Sequence, residues 1–189
     1  MTRLTPKDWN NVSPAQREIY EALMERRDLR TDGDIGGPFD AWILNPELHR
    51  RAAGLGLMFE RRTSFPYRLV KVVILTVAAH YRANYPWAVH SRYALDHGVP
   101  QAVIDSIHNG TPPPFDDDHD RIVHTLATEL LETHELSDQT YAEAIAAFDE
   151  IGVAELANLT GFYVMVAMTL NTFHVPEPEW AESTPFPRP

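Results

Sequence analysis

Cysteine is absent from all 189 residues. That removes disulfides, thiolate nucleophiles and cysteine-bound metals from consideration. Positive charge is scarce: 16 basic residues face 27 acidic ones, a formal net charge of −11. No basic stripe offsets this, which argues against a phosphate backbone or an anionic membrane surface as partner. The one run of like charge is Asp116-Asp117-Asp118, behind three prolines that place it in a loop. No apolar run follows the charged start, so no signal peptide is expected. The longest apolar windows are broken by Lys71, His80 or Asn171, so no membrane span is expected either. There is no glycine-rich phosphate loop and no serine-nucleophile motif. His90 and His97 share a helix face but have no third ligand at suitable spacing, so neither metal nor cofactor is expected. The reading is a soluble cytoplasmic protein, most simply one compact domain.

Strand patterning is also missing. Nowhere do apolar and polar residues alternate convincingly; glycine and proline fall between stretches of helical period. Ser13-Pro14 starts a first helix with Ile19, Tyr20, Leu23 and Met24 on one stripe. Residues 30–38 form a loop whose glycine pair, Gly36-Gly37, permits a corner or a close backbone approach. A short helical turn spans 39–44. Asn45-Pro46 then caps a helix reaching about residue 62. Residues 69–79 form a helix that is apolar on almost every side, interrupted by Lys71. A second helix starts near Pro86, with Trp87 and His90 one turn apart. Shorter helices follow at 101–108, 119–132 and from 138. A last, nearly wholly apolar helix runs from about 153 to 173. The fold class is all-α. Residues 1–34 form an N-terminal helical extension, 35–175 the main helical domain, and 176–189 an extended, proline-rich tail. Two helices that are apolar all round need cover on every side, which predicts a homo-oligomer.

Four stretches together resemble the carboxymuconolactone decarboxylase family, which has the alkylhydroperoxidase-D-like fold. Gly37-Pro38-Phe39-Asp40-Ala41-Trp42 with Asn45-Pro46-Glu47-Leu48 is similar to its opening segment. Phe65-Pro66-Tyr67-Arg68-Leu69-Val70-Lys71, followed by residues 74–78, resembles its central helix. Tyr85-Pro86-Trp87-Ala88-Val89-His90, then Gly98-Val99-Pro100, resembles its Tyr-Glu-Trp-x-x-His and the following turn. Residues 163–168 with Asn171 resemble its closing helix. The likeness covers roughly residues 35–175 and implies an obligate oligomer, often a trimer or hexamer. It also implies lactone decarboxylase or thiol peroxidase chemistry. The two cysteine positions of the peroxidase branch are Ala83 and Pro86 here, so a thiol peroxidase is excluded. The family's central-helix glutamate is replaced by Lys71, and of its polar set only His90 survives.

His90 is therefore the candidate general acid or base, its imidazole suited to proton transfer near neutrality. Lys71 sits among Val and Ile, where an unpaired ammonium is costly. It could anchor a substrate anion, act as an amine nucleophile, or simply reach solvent. The resemblance turns it towards His90. Arg82, three helical turns after Lys71, could hold a carboxylate bidentately or make a surface ion pair. Tyr85 could donate from a pocket mouth or serve as packing. Trp87 is a pocket wall or core residue. The functional expectation is a lyase or proton-transfer enzyme on a small carboxylated, lactone or carbonyl compound. The alternative is a non-catalytic, oligomeric small-molecule-binding protein that kept the pocket.

Overall fold

The computed structural model describes residues 2–27, 36–181 and 184–187. Among them the regular structure is entirely helical. In chain order the helices are α1 (Pro14–Arg27), α2 (Phe39–Trp42), α3 (Pro46–Arg61), α4 (Tyr67–His80), α5 (Asn84–Asp96), α6 (Gln101–Asn109), α7 (Asp118–Thr133) and α8 (Asp138–Phe173). Most of the expected 30–38 loop lies outside the described residues.

Local chemistry sets the helix starts. Ser13 Oγ accepts from the Gln16 amide at 3.3 Å while Gln16 Oε1 accepts from the Ser13 amide at 3.1 Å, a reciprocal capping box. Asn45 Oδ1 accepts from the amides of Glu47 and Leu48, with Pro46 at the first helical position. Asp117 and Ser137 cap α7 and α8 in the same way.

Helix α4 is the axis of the bundle. Residues 69–78 are all buried, packed among α5, α7 and α8. Each large aliphatic side chain so enclosed contributes about 1.5–3 kcal/mol. Arg68 pins the start of this helix to α7 through ion pairs with Asp117 (2.7 Å) and Asp120. The chain covers α4 by itself, so this helix needs no second subunit. The outer face of α8 does stay open, with Met168 51 % exposed.

Helix α8 is one element where two were expected, but it is broken inside. Asp149 has φ 55° and ψ −173°, and its Oδ1 accepts from the amides of Ile151 (2.7 Å) and Gly152 (3.1 Å). It is thus the N-cap of the second half. A Cβ at Gly152 would meet Phe148 Cβ at 2.5 Å, so only glycine fits behind this kink. By length and composition α8 could cross a membrane, yet it packs on α4 and α7 as a core helix.

Among the described residues beyond Val175 there is no helix, only a turn at 178–181 closed by the Ala181 amide donating to Pro178 O at 3.0 Å. This tail is not loose. Phe186 is 7 % exposed, stacked on His108 at 4.5 Å and edge-on to Trp87 at 5.1 Å.

Candidate active site

The turn between α4 and α5 decides what can meet. Helix α4 stops because Arg82 takes a left-handed conformation, φ 47°. The Ala83 amide then reaches back to Ala78 O at 2.8 Å, the 6→1 bond of a Schellman stop. Asn171 Nδ2 donates to Tyr81 O at 2.9 Å and ties α8 to the same turn. Helices α4, α5 and α8 are thereby tied together at this turn.

Lys71 is 1 % exposed. It does not reach solvent, so that reading of it falls. Its Nζ lies 2.5 Å from Tyr67 Oη, one turn earlier on α4, and 3.1 Å from His90 Nδ1 on α5. The ammonium also sits over the Tyr67 ring at 4.0 Å and the Tyr93 ring at 5.4 Å, both favourable cation–π distances. On the far side of the imidazole, Tyr163 Oη of α8 stands 3.5 Å from His90 Nε2. The result is a line of polar groups, Tyr67–Lys71–His90–Tyr163, through an apolar core. His97 packs edge-on against Tyr67 at 4.8 Å at the outer end.

An ammonium has only donors, so His90 Nδ1 accepts from it and the ring proton sits on Nε2. Burial, opposed by the charge of Glu60, pulls the Lys71 ammonium down to about 8. Burial first, and the Lys71 charge second, hold His90 well below the ordinary imidazole value, so it is neutral at pH 7. Burial, helped by Glu60 and Tyr93, pushes the Tyr67 phenol up to about 12. Tyr163 is raised as well, by burial and then by Tyr67 and Glu60. Both phenols therefore keep their protons at neutral pH.

The other residues picked from the sequence lie elsewhere. Arg82 was placed on the Lys71 face by counting helical turns, but the helix ends before it and its side chain is exposed. Trp87 and His90, one turn apart, look in different directions: Trp87 joins α6 and the tail, next to His108 and Phe186. Tyr85 faces the glycine pair, whose close approach is thereby explained. A Cβ at Gly36 would lie 3.2 Å from Tyr85 Oη. Tyr67, Tyr93, Tyr163 and Glu60 were missed as site residues. Tyr67 was open to discovery, being four positions before Lys71 on one face.

Two cavities stand out in the surface. One, about 430 Å³, is an apolar hollow on α8 between Gly161 and Phe173. The other, about 540 Å³, lies between α5, α6 and the tail, with Trp87, Arg92, His108 and Trp180 in its walls. Neither is lined by Lys71 or His90. Those two side chains meet by direct contact, not across an open cavity. Among the described residues no cluster of three or more His, Asp or Glu side chains could hold a metal ion.

No family model and no curated protein matches the chain. Solved structures do. A peroxidase-related protein from Ralstonia eutropha, described as an alkylhydroperoxidase AhpD core, is 11 % identical, with a TM-score of 0.76 over 94 % of this chain and 93 % of that one. A peroxidase-related protein from Silicibacter is 13 % identical, again at 0.76, over 94 % and 92 %. The debrominase Bmp8, as a cysteine-to-alanine variant in complex with 2,3,4-tribromopyrrole, is 15 % identical with a TM-score of 0.67 over 94 % and 91 %. At such identities the likeness is one of fold. The chain has the alkylhydroperoxidase-D-like fold, the one expected from its motifs, without a cysteine in it.

Proposed function

We propose that this chain is a cysteine-free enzyme that moves a proton, or cleaves a carbon–carbon or lactone bond, on a small carbonyl-bearing or carboxylated compound. The observation that supports this best is the 3.1 Å contact of the buried Lys71 Nζ with His90 Nδ1. A neutral imidazole beside a fixed positive charge combines a base with a stabiliser of developing negative charge. A substrate oxygen that takes over the ammonium's hydrogen bond frees the Nδ1 lone pair, and His90 then removes or returns the proton. Lys71 holds the enolate or carboxylate oxygen that results. Tyr163 keeps the ring in place through Nε2. Assembly into a homo-oligomer and a cytoplasmic location complete the proposal; the open face of α8 is where a second copy would add cover.

The test uses purified wild-type, His90→Ala and Lys71→Ala proteins on a panel of small lactone acids and oxo acids. Loss of the general base is expected to lower turnover by about 10²–10⁴-fold. Unchanged turnover in both variants would remove the mechanism. A second reading, binding without conversion, is favoured by the 540 Å³ cavity, which the polar pair does not line. Thermal shifts with panel compounds but no product would support it.

A further inference from the structure

The chain contains only two lysines. Lys7 is engaged by Asp40, through its backbone oxygen at 2.7 Å and its carboxylate at 3.9 Å. Lys71 has no carboxylate partner among the described residues. Its polar contacts are a phenol and an imidazole acceptor. The groups facing it are Tyr67 from α4, His90 and Tyr93 from α5, Tyr163 beyond His90 from α8, and the Glu60 charge from the end of α3, with His97 behind Tyr67. An amine within hydrogen-bond reach of a base, with that base held by a third group, is the arrangement nucleophilic catalysis requires. Lys71, His90 and Tyr163 supply it in that order. With no thiol in the chain, the amine is the strongest nucleophile at this site.

We infer that Lys71 forms a covalent imine with its substrate, which makes the substrate a small ketone or aldehyde. This deepens the function proposed above and rests on the same site. The neutral amine's lone pair makes the new carbon–nitrogen bond, and the carbonyl π pair moves onto oxygen. His90 carries one proton from nitrogen to that oxygen, giving the carbinolamine. The nitrogen lone pair then expels hydroxide, and His90 passes it the second nitrogen proton, so that it leaves as water. Both amine hydrogens end in the water molecule, and no oxidant or further reactant is needed. Protonation of the imine nitrogen creates an electron sink next to the carbon that loses its proton or carboxylate. The ammonium's low value, about 8, keeps a useful fraction of neutral amine near neutrality. Tyr93, whose ring centroid lies 5.4 Å from the ammonium, is 43 % exposed and is the contact of Lys71 that reaches the surface.

The experiment is reductive trapping. Full-length protein is incubated with levulinate, pyruvate or benzaldehyde and sodium cyanoborohydride, then read by intact mass and peptide mapping. The expected product is a single adduct, heavier by the carbonyl compound less one oxygen atom, on the peptide holding Lys71. It should persist in Lys7→Arg, vanish in Lys71→Arg, and form about a hundred-fold more slowly in His90→Ala. In wild type, trapping at Lys71 should rise with pH through about 8, a readout that does not depend on any variant folding. Equal labelling of Lys71→Arg, labelling confined to Lys7 or the terminal amine, or no adduct with any of the three probes would overturn the imine. Turnover assays on the same proteins separate the two claims. If Lys71→Arg still turns over the panel, the imine fails and acid–base catalysis by His90 stands. If Lys71 is labelled but nothing is turned over, the imine stands and the enzyme reading fails.

Discussion

Lys71 Nζ and His90 Nδ1, nineteen positions apart in sequence, share one 3.1 Å hydrogen bond across the α4–α5 bend. Two groups that both become cations on protonation therefore sit side by side, the lysine fully buried and the imidazole half-buried. Burial lowers the proton affinity of both, and the Lys71 charge lowers that of His90 further, while the Glu60 charge partly restores that of Lys71. The pair can carry one proton comfortably and two only at a cost.

That cost has a sign which can be measured. Lys71 binds its proton with a value of about 8 when folded and 10.5 when unfolded. Between those values the unfolded chain holds more protons, so stability is lost as pH falls from about 10.5 to about 8. The full penalty at pH 7 is about 3 kcal/mol. Replacing Lys71 by Met, of similar length and apolar, should stabilise the protein at pH 7 by about 1–3 kcal/mol, less what the lost hydrogen bonds contributed. The gain should shrink towards zero by pH 10.5. Urea unfolding at both pH values decides it. A variant less stable at both would mean that the ammonium is well satisfied where it sits. His90 should titrate higher in the same variant, since one of the two causes of its depression is gone. In wild type, its lowered value adds a further loss of stability as pH drops below 6.5.

Tyr67 Oη is 2.5 Å from the same ammonium. A hydrogen bond to a charged group favours the charged form, and it is worth about 1.5–3 kcal/mol. Tyr67→Phe removes that acceptor while keeping the ring beneath the nitrogen. The Lys71 value should fall by about one further unit. With only two lysines in the chain, their side-chain Cε–Hε signals can be followed by NMR without overlap. An upward shift would refute the geometry, because it would mean that the phenol was destabilising the cation.

Arg82 occupies the C-terminal stop of α4 with φ 47°, where glycine is the residue with least strain. A non-glycine residue here costs about 1–2 kcal/mol, and glycine returns part of that as backbone entropy in the unfolded chain. Arg82→Gly should therefore raise the melting temperature by about 2–4 °C. It should leave turnover unaltered, since the side chain is exposed and lies in the turn after α4 ends. A large loss of activity would restore the anion-binding role that helical counting suggested.

Much of the architecture was readable because caps and period agree. Ser13, Asn45, Pro46, Ser137 and the prolines at 112–114 mark boundaries by local chemistry that operates in any context. That Lys71 faces His90 was implied by the family resemblance; its setting in a run of Val and Ile said only that it needs a partner or a lowered proton affinity. What could not be read depends on how far a helix continues and where it turns. Counting eleven residues from Lys71 to Arg82 assumes an unbroken helix, and the αL residue at its end is Arg82 itself. The face that Trp87 presents depends on Phe186, ninety-nine positions later, folding back against it. The Asp149 break was similarly hidden: its side-chain cap is local, but whether the chain stops or resumes the same axis is set by packing on α4 and α7.

Asn84 holds the backbone of the tail at Phe186. Asn84 Oδ1 accepts from the Phe186 amide at 2.7 Å, and Asn84 Nδ2 donates to Phe186 O at 3.2 Å. Both ends of the carboxamide are thus spent on one backbone unit, while the Phe186 ring fills the slot between Trp87 and His108. His108 Nε2 lies 3.0 Å from Thr184 O and fixes the chain two residues earlier. Phe186→Ala should cost about 3–5 kcal/mol if the tail stays docked around the hole, and less if it peels away and lets water hydrate the slot. Asn84→Ala leaves a buried amide and carbonyl unpaired, at about 1–3 kcal/mol. Because both substitutions release the same strap, the double variant should be only slightly worse than the more damaging single one. A coupling energy of about 1 kcal/mol or more in the double-mutant cycle is the expected result. Strict additivity would mean that the hydrogen bonds and the ring hold the tail independently. Limited proteolysis gives a second measure, since release of the strap should expose the chain beyond Val175 to cleavage in both single variants while the helical bundle stays intact.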